Sequence, residues 1–299
     1  MNLIKNKKVL IFLTVVGTLY LLLSFIVASS AFSIGDEVYN ATPRNFDIDY
    51  EEIKIETEGS YISTWWIPSN SESTIIILHG LRSQKASPEI LNKIKFFNEQ
   101  GISLIAIDFR NHGLSGEGNF TFGIEEVDDV YATINHFYEN EGLKSFGIWG
   151  FSYGATTALL SGFEFYNNTS NVELIGIFAE SPYLDLLEVF TDQVSYRTPL
   201  NKTMANLLKP GTIFLTNLIF DFDFNSINKT FDSNKEFPFP TAVLSCSSDE
   251  IVPKSQSKRI VKILGSNAVY EEFGECSGHG YIFESDSTRY TQILRNLFK

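Results

Sequence analysis

Cysteine is scarce in this chain of 299 residues, which holds only Cys246 and Cys276. There is no Cys-x-x-Cys pair and no zinc-ligand spacing, so a zinc module is excluded. Basic charge is also short. Lys and Arg number 23 against 36 acidic residues, a net charge of −13. A nucleic-acid binder needs a basic face to neutralise phosphates, so no nucleic-acid partner is expected. No unit repeats at a period of 20–50 residues and no low-complexity block occurs, which excludes solenoids and arrays. Gly116-Glu117-Gly118 lacks the third spaced glycine of a dinucleotide fingerprint. The run from Asp221 resembles the start of a calcium loop, but Ser226 stands where glycine is required, and Asp232 replaces the terminal Glu. No metal and no cofactor are therefore expected.

One long hydrophobic run is present. Lys5, Lys7 and Lys8 precede 24 uncharged residues over 9–32, and Asp36 and Glu37 follow. As a helix the run is about 36 Å long, enough to cross a ~30 Å hydrocarbon core. Lysines before it and acids after it favour an N-inside orientation, with the rest of the chain outside the cytoplasm. A cleaved signal peptide is the rival, with small-residue sites at Ala28-Ser29-Ser30 and Ser29-Ser30-Ala31. A buried core helix is the third reading. The expected division is a cytoplasmic terminus over 1–8, a transmembrane helix or signal sequence over 9–32, a linker over 33–46 and the main domain over 47–299. Either membrane reading permits a disulfide between Cys246 and Cys276; two buried thiols packed as small apolar residues are the favoured alternative.

The main domain alternates strands and helices. Residues 51–57 and 61–67 read as an antiparallel hairpin at a sheet edge, turning at Glu58-Gly59. Strands are expected at 74–78, 102–108, 145–150, 172–178, 241–245 and 269–273. Helices are expected at 88–100, 124–141, 153–166, 254–265 and 286–298. Apolar strands between helices of 10–15 residues indicate an α/β fold, with a mostly parallel sheet and helices on both faces. Residues 183–240 break the rhythm. They read either as a lid over a pocket or as ordinary helices covering the sheet.

The strand at 145–150 runs into Gly150-Phe151-Ser152-Tyr153-Gly154, and a helix follows. About one 300-residue chain in ten holds G-x-S-x-G by chance, so the context decides. Strand, sharp turn and helix is the context that holds a serine hydroxyl out for attack. Active sites of open α/β sheets lie at the carboxyl ends of strands. Asp249 and His279 both follow expected strands, 30 residues apart, a gap that fits one helix and one strand and makes the two strands neighbours. His279 is the candidate base, and Asp249 would fix its tautomer. Backbone N–H groups of Tyr153 and Leu81 are the candidate oxyanion donors. Glu250 and Asp185 are alternative acids, and an ordinary turn serine is the alternative for Ser152. His79 and His112 read as loop braces, and His136 as a helix residue. Phe151, Tyr153 and the aromatic insertion point to an apolar acyl pocket.

His79-Gly80, the run Asp108 to Ser115, the Gly150–Gly154 turn, Asp249 to Pro253 and Gly278-His279 occur in the order of the α/β-hydrolase superfamily. The chain resembles its single-domain serine aminopeptidase and prolyl-oligopeptidase-like members over roughly residues 51–299. The resemblance implies a serine hydrolase that forms an acyl-enzyme, with Ser152, Asp249 and His279 as triad and Leu81 and Tyr153 as oxyanion hole. It implies a small-molecule, lipid or peptide acyl substrate, with ester, thioester and amide open and esters favoured over a peptidase. A catalytically silent binding module is the reading from another class. Two positions depart from the pattern: Asn111 stands where glycine is usual, and Ser247-Ser248-Asp249 replaces the common Gly-x-x-Asp approach.

Overall fold

The computed structural model describes residues 7–34, 39–57, 59–168, 171–233 and 237–298. Their elements run α1 (Lys7–Phe32), β1 (Glu51–Thr57), β2 (Ser60–Ile67), β3 (Thr74–Leu78), α2 (Pro88–Glu99), β4 (Ser103–Ile107), α3 (Val127–Glu141), β5 (Ser145–Phe151), α4 (Tyr153–Asn168) and β6 (Glu173–Glu180). There follow α5 (Leu186–Arg197), α6 (Lys202–Phe220), α7 (Ser226–Ser233), β7 (Thr241–Cys246), α8 (Lys254–Leu264), β8 (Ala268–Phe273), α9 (Ile282–Ser285) and α10 (Ser287–Leu297).

The strands form one eight-stranded sheet in the order β1-β2-β4-β3-β5-β6-β7-β8. β1 and β2 form the antiparallel hairpin, and β2 pairs antiparallel with β4. Every other pair is parallel. The central strands are apolar throughout because both faces are covered: Thr74–Leu78 and Ser103–Ile107 are buried at every position. On one face Ile75, Ile77, Leu104 and Trp149 share a core with Ile90 and Ile94 of α2 and Tyr290 and Leu294 of α10. Alternate residues such as Ile76, Ile105 and Ile148 point the other way and are equally buried.

Boundaries differ from the sequence reading for local reasons. α3 begins at Val127 rather than 124, because the Glu126 carboxylate accepts the Thr121 and Gly123 N–H groups and the Thr121 hydroxyl. Those bonds hold the preceding residues in a loop. β6 runs on to Glu180, where it pairs with Phe151 and Leu244.

By proximity along the backbone the chain divides into two units. One is the N-terminal region to Ser33 with Asp185–Ser226, and the other is Ile34–Leu184 with Ile227–Lys299. The segment over 183–240 is therefore split. Its α5 and α6 group with α1, whereas Ile227 and Phe231 of α7 are core residues that belong with the sheet.

Within the smaller unit, α1 and α6 run side by side in the same direction, with Tyr20 beside Leu207 and Gly211, and Phe32 stacked on Phe220. Pro210 lies inside α6. A proline there disturbs the preceding turn of the hydrogen-bond ladder. The Tyr20 hydroxyl enters at that point, accepting the Gly211 N–H at 2.9 Å and donating to the Leu207 carbonyl at 3.2 Å. Gly211 makes room for it, since a Cβ there would lie 2.3 Å from Ser24 Oγ.

Candidate active site

Ser152 sits between β5 and α4 with φ of 54°, a left-handed conformation for a residue that has a Cβ. That conformation costs about 1–2 kcal/mol. The Ser152 N–H bonds the Glu180 carbonyl at 2.7 Å, and the Ser152 carbonyl accepts the Thr156 N–H at 3.0 Å, which fixes the turn from both sides. Both flanking glycines are required by space. A Cβ on Gly154 would lie 2.3 Å from the Leu78 carbonyl oxygen, and one on Gly150 would lie 2.3 Å from that of Gly154. The same close approach sets the turn after β3, which carries Leu81, against the start of α4.

The first N–H groups of α4 have no intrahelical acceptor and carry the positive end of the helix dipole. The Tyr153 N–H is the first of them. Its ring is fully buried against Phe109, His112 and Phe120. Burial pushes its phenol well above the ordinary range, with Glu126 adding to the rise. The Tyr153 side chain is thus packing rather than a wall of an open acyl pocket, contrary to the sequence reading. Phe151, partly exposed, lies with its ring 4.7 Å from that of His279 and beneath Gly80.

Asp249 and His279 follow β7 and β8, which pair in parallel through Cys246 and Phe273. His279 Nδ1 lies 2.7 Å from Asp249 Oδ2. The Ile251 and Val252 N–H groups, each at 2.9 Å, occupy Oδ1. Burial alone would raise the Asp249 carboxyl. The hydrogen bond and charge of His279, with the two N–H donors, outweigh it and hold the group below its ordinary value. His279 Nε2 is buried and has no hydrogen-bond partner among the described residues, so no bond joins it to Ser152 Oγ. The imidazole is oriented through Nδ1, which leaves Nε2 as its open nitrogen. Phe151, the residue before Ser152, lies against its ring.

The alternatives occupy other roles. Asp185 caps α5 by accepting the Glu188 N–H at 2.9 Å, and Glu250 is exposed. His79 is buried, bonded through Nδ1 to the Gly80 carbonyl and through Nε2 to the Phe109 N–H. Burial, then the neighbouring His112, pushes its pKa well down, so it stays neutral. His112 bonds the Arg110 carbonyl and is likewise lowered by burial. Among the described residues no cluster of three or more His, Cys, Asp or Glu could hold a metal ion.

Sequence reasoning missed Ser181. Its hydroxyl donates to Asp249 Oδ2 at 2.9 Å, from a left-handed backbone at φ of 51°. No motif marks it, and the expected end of its strand fell two residues short of Glu180. Both departures from the hydrolase pattern have a structural account. Asn111 adopts φ of 62°, a conformation that asparagine tolerates, and its side chain bonds the backbone of Gly118 in both directions. The Ser248 hydroxyl bonds both the carbonyl and the N–H of Cys276. Cys276 is itself joined to Cys246 by a disulfide. The favoured reading of two packed thiols gives way because β7 and β8 are adjacent and bring the two cysteines to a Cα separation of 6.1 Å.

No family model matches the chain. The uncharacterized protein YqkD of Bacillus subtilis is 27% identical over 243 residues, covering 76% of this chain and 72% of YqkD. The esterase Pf2001 of Pyrococcus furiosus superposes with a TM-score of 0.69 at 24% identity, covering 89% of this chain and 97% of Pf2001. An alpha-beta serine hydrolase homologue from Coxiella burnetii gives a TM-score of 0.56 at 18% identity, over 83% of this chain and 97% of that one. The chain has the α/β-hydrolase fold. Its mixed sheet, its antiparallel edge hairpin and the helices around the sheet are the features that carry the likeness.

Proposed function

We propose that this protein is a membrane-anchored serine hydrolase that cleaves carboxylic esters through an acyl-enzyme outside the cytoplasm. One observation carries the reading. Asp249 and His279, both from the strand ends, form a partly buried 2.7 Å pair whose open nitrogen is on the imidazole resting against Phe151, next to Ser152. In this reading Ser152 Oγ comes within hydrogen-bond reach of Nε2 in the substrate complex. Catalytic hydrogen bonds of this kind tighten when substrate binds.

His279 Nε2 then takes the Ser152 proton as Oγ attacks the acyl carbon. Asp249 stabilises the imidazolium and keeps Nδ1 protonated. The Tyr153 and Leu81 N–H groups meet the oxyanion, each worth about 3 kcal/mol in the transition state. The imidazolium returns the proton to the leaving alcohol, and water repeats the sequence to release the acid. The esterase neighbour supports esters as the first class to test.

A fluorophosphonate probe and p-nitrophenyl esters of graded chain length, run beside aminoacyl anilides, test the proposal. Labelling of the wild type but not of Ser152→Ala, with ester turnover exceeding anilide turnover, is the expected result. Folded protein that neither labels nor turns over any ester refutes the proposal.

A further inference from the structure

We propose that the Cys246–Cys276 disulfide is a positioning clamp for the acid–base pair, so that turnover requires the oxidised chain. This rests on the hydrolase reading above. The placement of the bridge carries the inference. Cys246 lies three residues before Asp249, and Cys276 three residues before His279. The bridge, which starts from the last residue of β7, and the Asp249–His279 bond are therefore two rungs between the same two neighbouring segments. A third rung is the Ser248 hydroxyl, which spans to Cys276 with two 3.0 Å bonds.

The two loops are unequal. The acid loop is short and internally bonded: Asp249 caps Ile251 and Val252, and Ser181 holds it from β6. The base loop, residues 274–281, has no helix or strand. It contains Gly274, Gly278 and Gly280, and most of its residues are exposed or half-buried. Gly278 and Gly280 flank His279 at φ of 153° and 90°. Chain of this kind samples many backbone states unless it is tied down. The disulfide ties its near end to the terminus of β7. Imidazole orientation at Asp249 is the quantity the tie would protect, because the tautomer and aim of the base depend on it.

Cys276 is partly exposed, whereas Cys246 is buried. A dithiol reductant can therefore attack Cys276 Sγ. Its thiolate forms a mixed disulfide and releases the Cys246 thiolate. The second thiol of the reductant then closes on the first, releasing Cys276, and the reductant leaves as a cyclic disulfide. The Cys246 thiolate takes up a proton, and the two cysteines end as thiols.

The test uses the full chain in detergent micelles, with p-nitrophenyl butyrate as substrate and dithiothreitol as reductant. The oxidised protein should show no free thiol, and the reduced protein two. On reduction kcat should fall at least tenfold with KM within twofold, and reoxidation should restore kcat. Cys246→Ala/Cys276→Ala should show the reduced wild-type kcat and ignore dithiothreitol. Hydrogen exchange at residues 274–281 should accelerate on reduction while the central strands stay protected, a readout that needs no activity. Free thiols in the isolated protein, or unchanged exchange with unchanged kcat once both thiols are free, would overturn the clamp. Oxidised protein that neither turns over esters nor labels with a fluorophosphonate defeats the hydrolase reading instead, and the exchange measurement still decides the clamp.

Discussion

Single side chains set the chemistry, and their substitutions separate attack from support. In the proposed mechanism Ser152 and His279 act as a unit, so Ser152→Ala and His279→Ala should each reduce ester turnover by about 10⁴–10⁶. Either variant retaining near wild-type kcat would remove it from the mechanism. Ser181→Ala tests support. It deletes one of the two side-chain partners of Asp249 Oδ2 and leaves the other, His279, in place. A hydrogen bond to a charged group is worth about 1.5 kcal/mol, so kcat should fall roughly tenfold with KM unchanged. Asp249 also makes a prediction about acid stability. Its carboxyl titrates below the ordinary value when folded. Its stabilisation is therefore complete above about pH 4, the unfolded value, and is lost as pH falls through the folded value. Thermal unfolding followed from pH 6 to pH 2.5 should show that loss in the wild type and a shallower fall in Asp249→Asn.

Among elements, legibility divided along a physical line. Strands buried on both faces announce themselves by composition, so β3, β4 and β5 were readable from their apolar runs, and the turn into α4 from its two glycines. Elements whose limits are set by a distant partner were not. The start of α3 depends on the Glu126 carboxylate folding back on Thr121 and Gly123, and no helix-start signal reports that. Ser181 was hidden because β6 ends where Leu244 and Phe151 pair with Glu180, which no local pattern shows. The pairing of α1 with α6 was equally silent, since it turns on one hydroxyl at a proline break. Tyr20→Phe keeps the ring and deletes that hydroxyl, leaving the Gly211 N–H and the Leu207 carbonyl without it. The cost should be about 1–3 kcal/mol. It should appear as faster proteolysis within α6 of the detergent-solubilised chain, with the sheet unaffected. Equal cleavage rates in variant and wild type would show that the Tyr20 bonds do not hold α6.

For the whole molecule the open choice is between an anchor that stays and a signal that is cut. α1 has 26 residues and a mean hydropathy of 2.6 over its most apolar window. Leu10, Ile11, Phe12, Leu13, Val15 and Leu19 are each more than half exposed in the folded chain. Such a surface is costly in water and at home in hydrocarbon. Length and hydropathy suit both choices; the proposed anchor is the one in which α1 keeps its contacts with α6. Cleavage after Ser30 or Ala31 would remove Tyr20, Ser24 and Ala28. It would leave the Pro210–Gly211 break in α6 without its hydroxyl partner and bare the face of α6 that carries Gly211. We therefore expect the mature protein to retain residues 7–32, to resist extraction from membranes by alkaline carbonate, and to show the intact N-terminal mass. A protease added outside sealed cells should reach the sheet domain, in line with the lysines that precede the span and the acids that follow it. An intact mass beginning after Ser30 or Ala31, with the protein recovered in the soluble fraction, would establish secretion and leave α6 to find its missing partners in water.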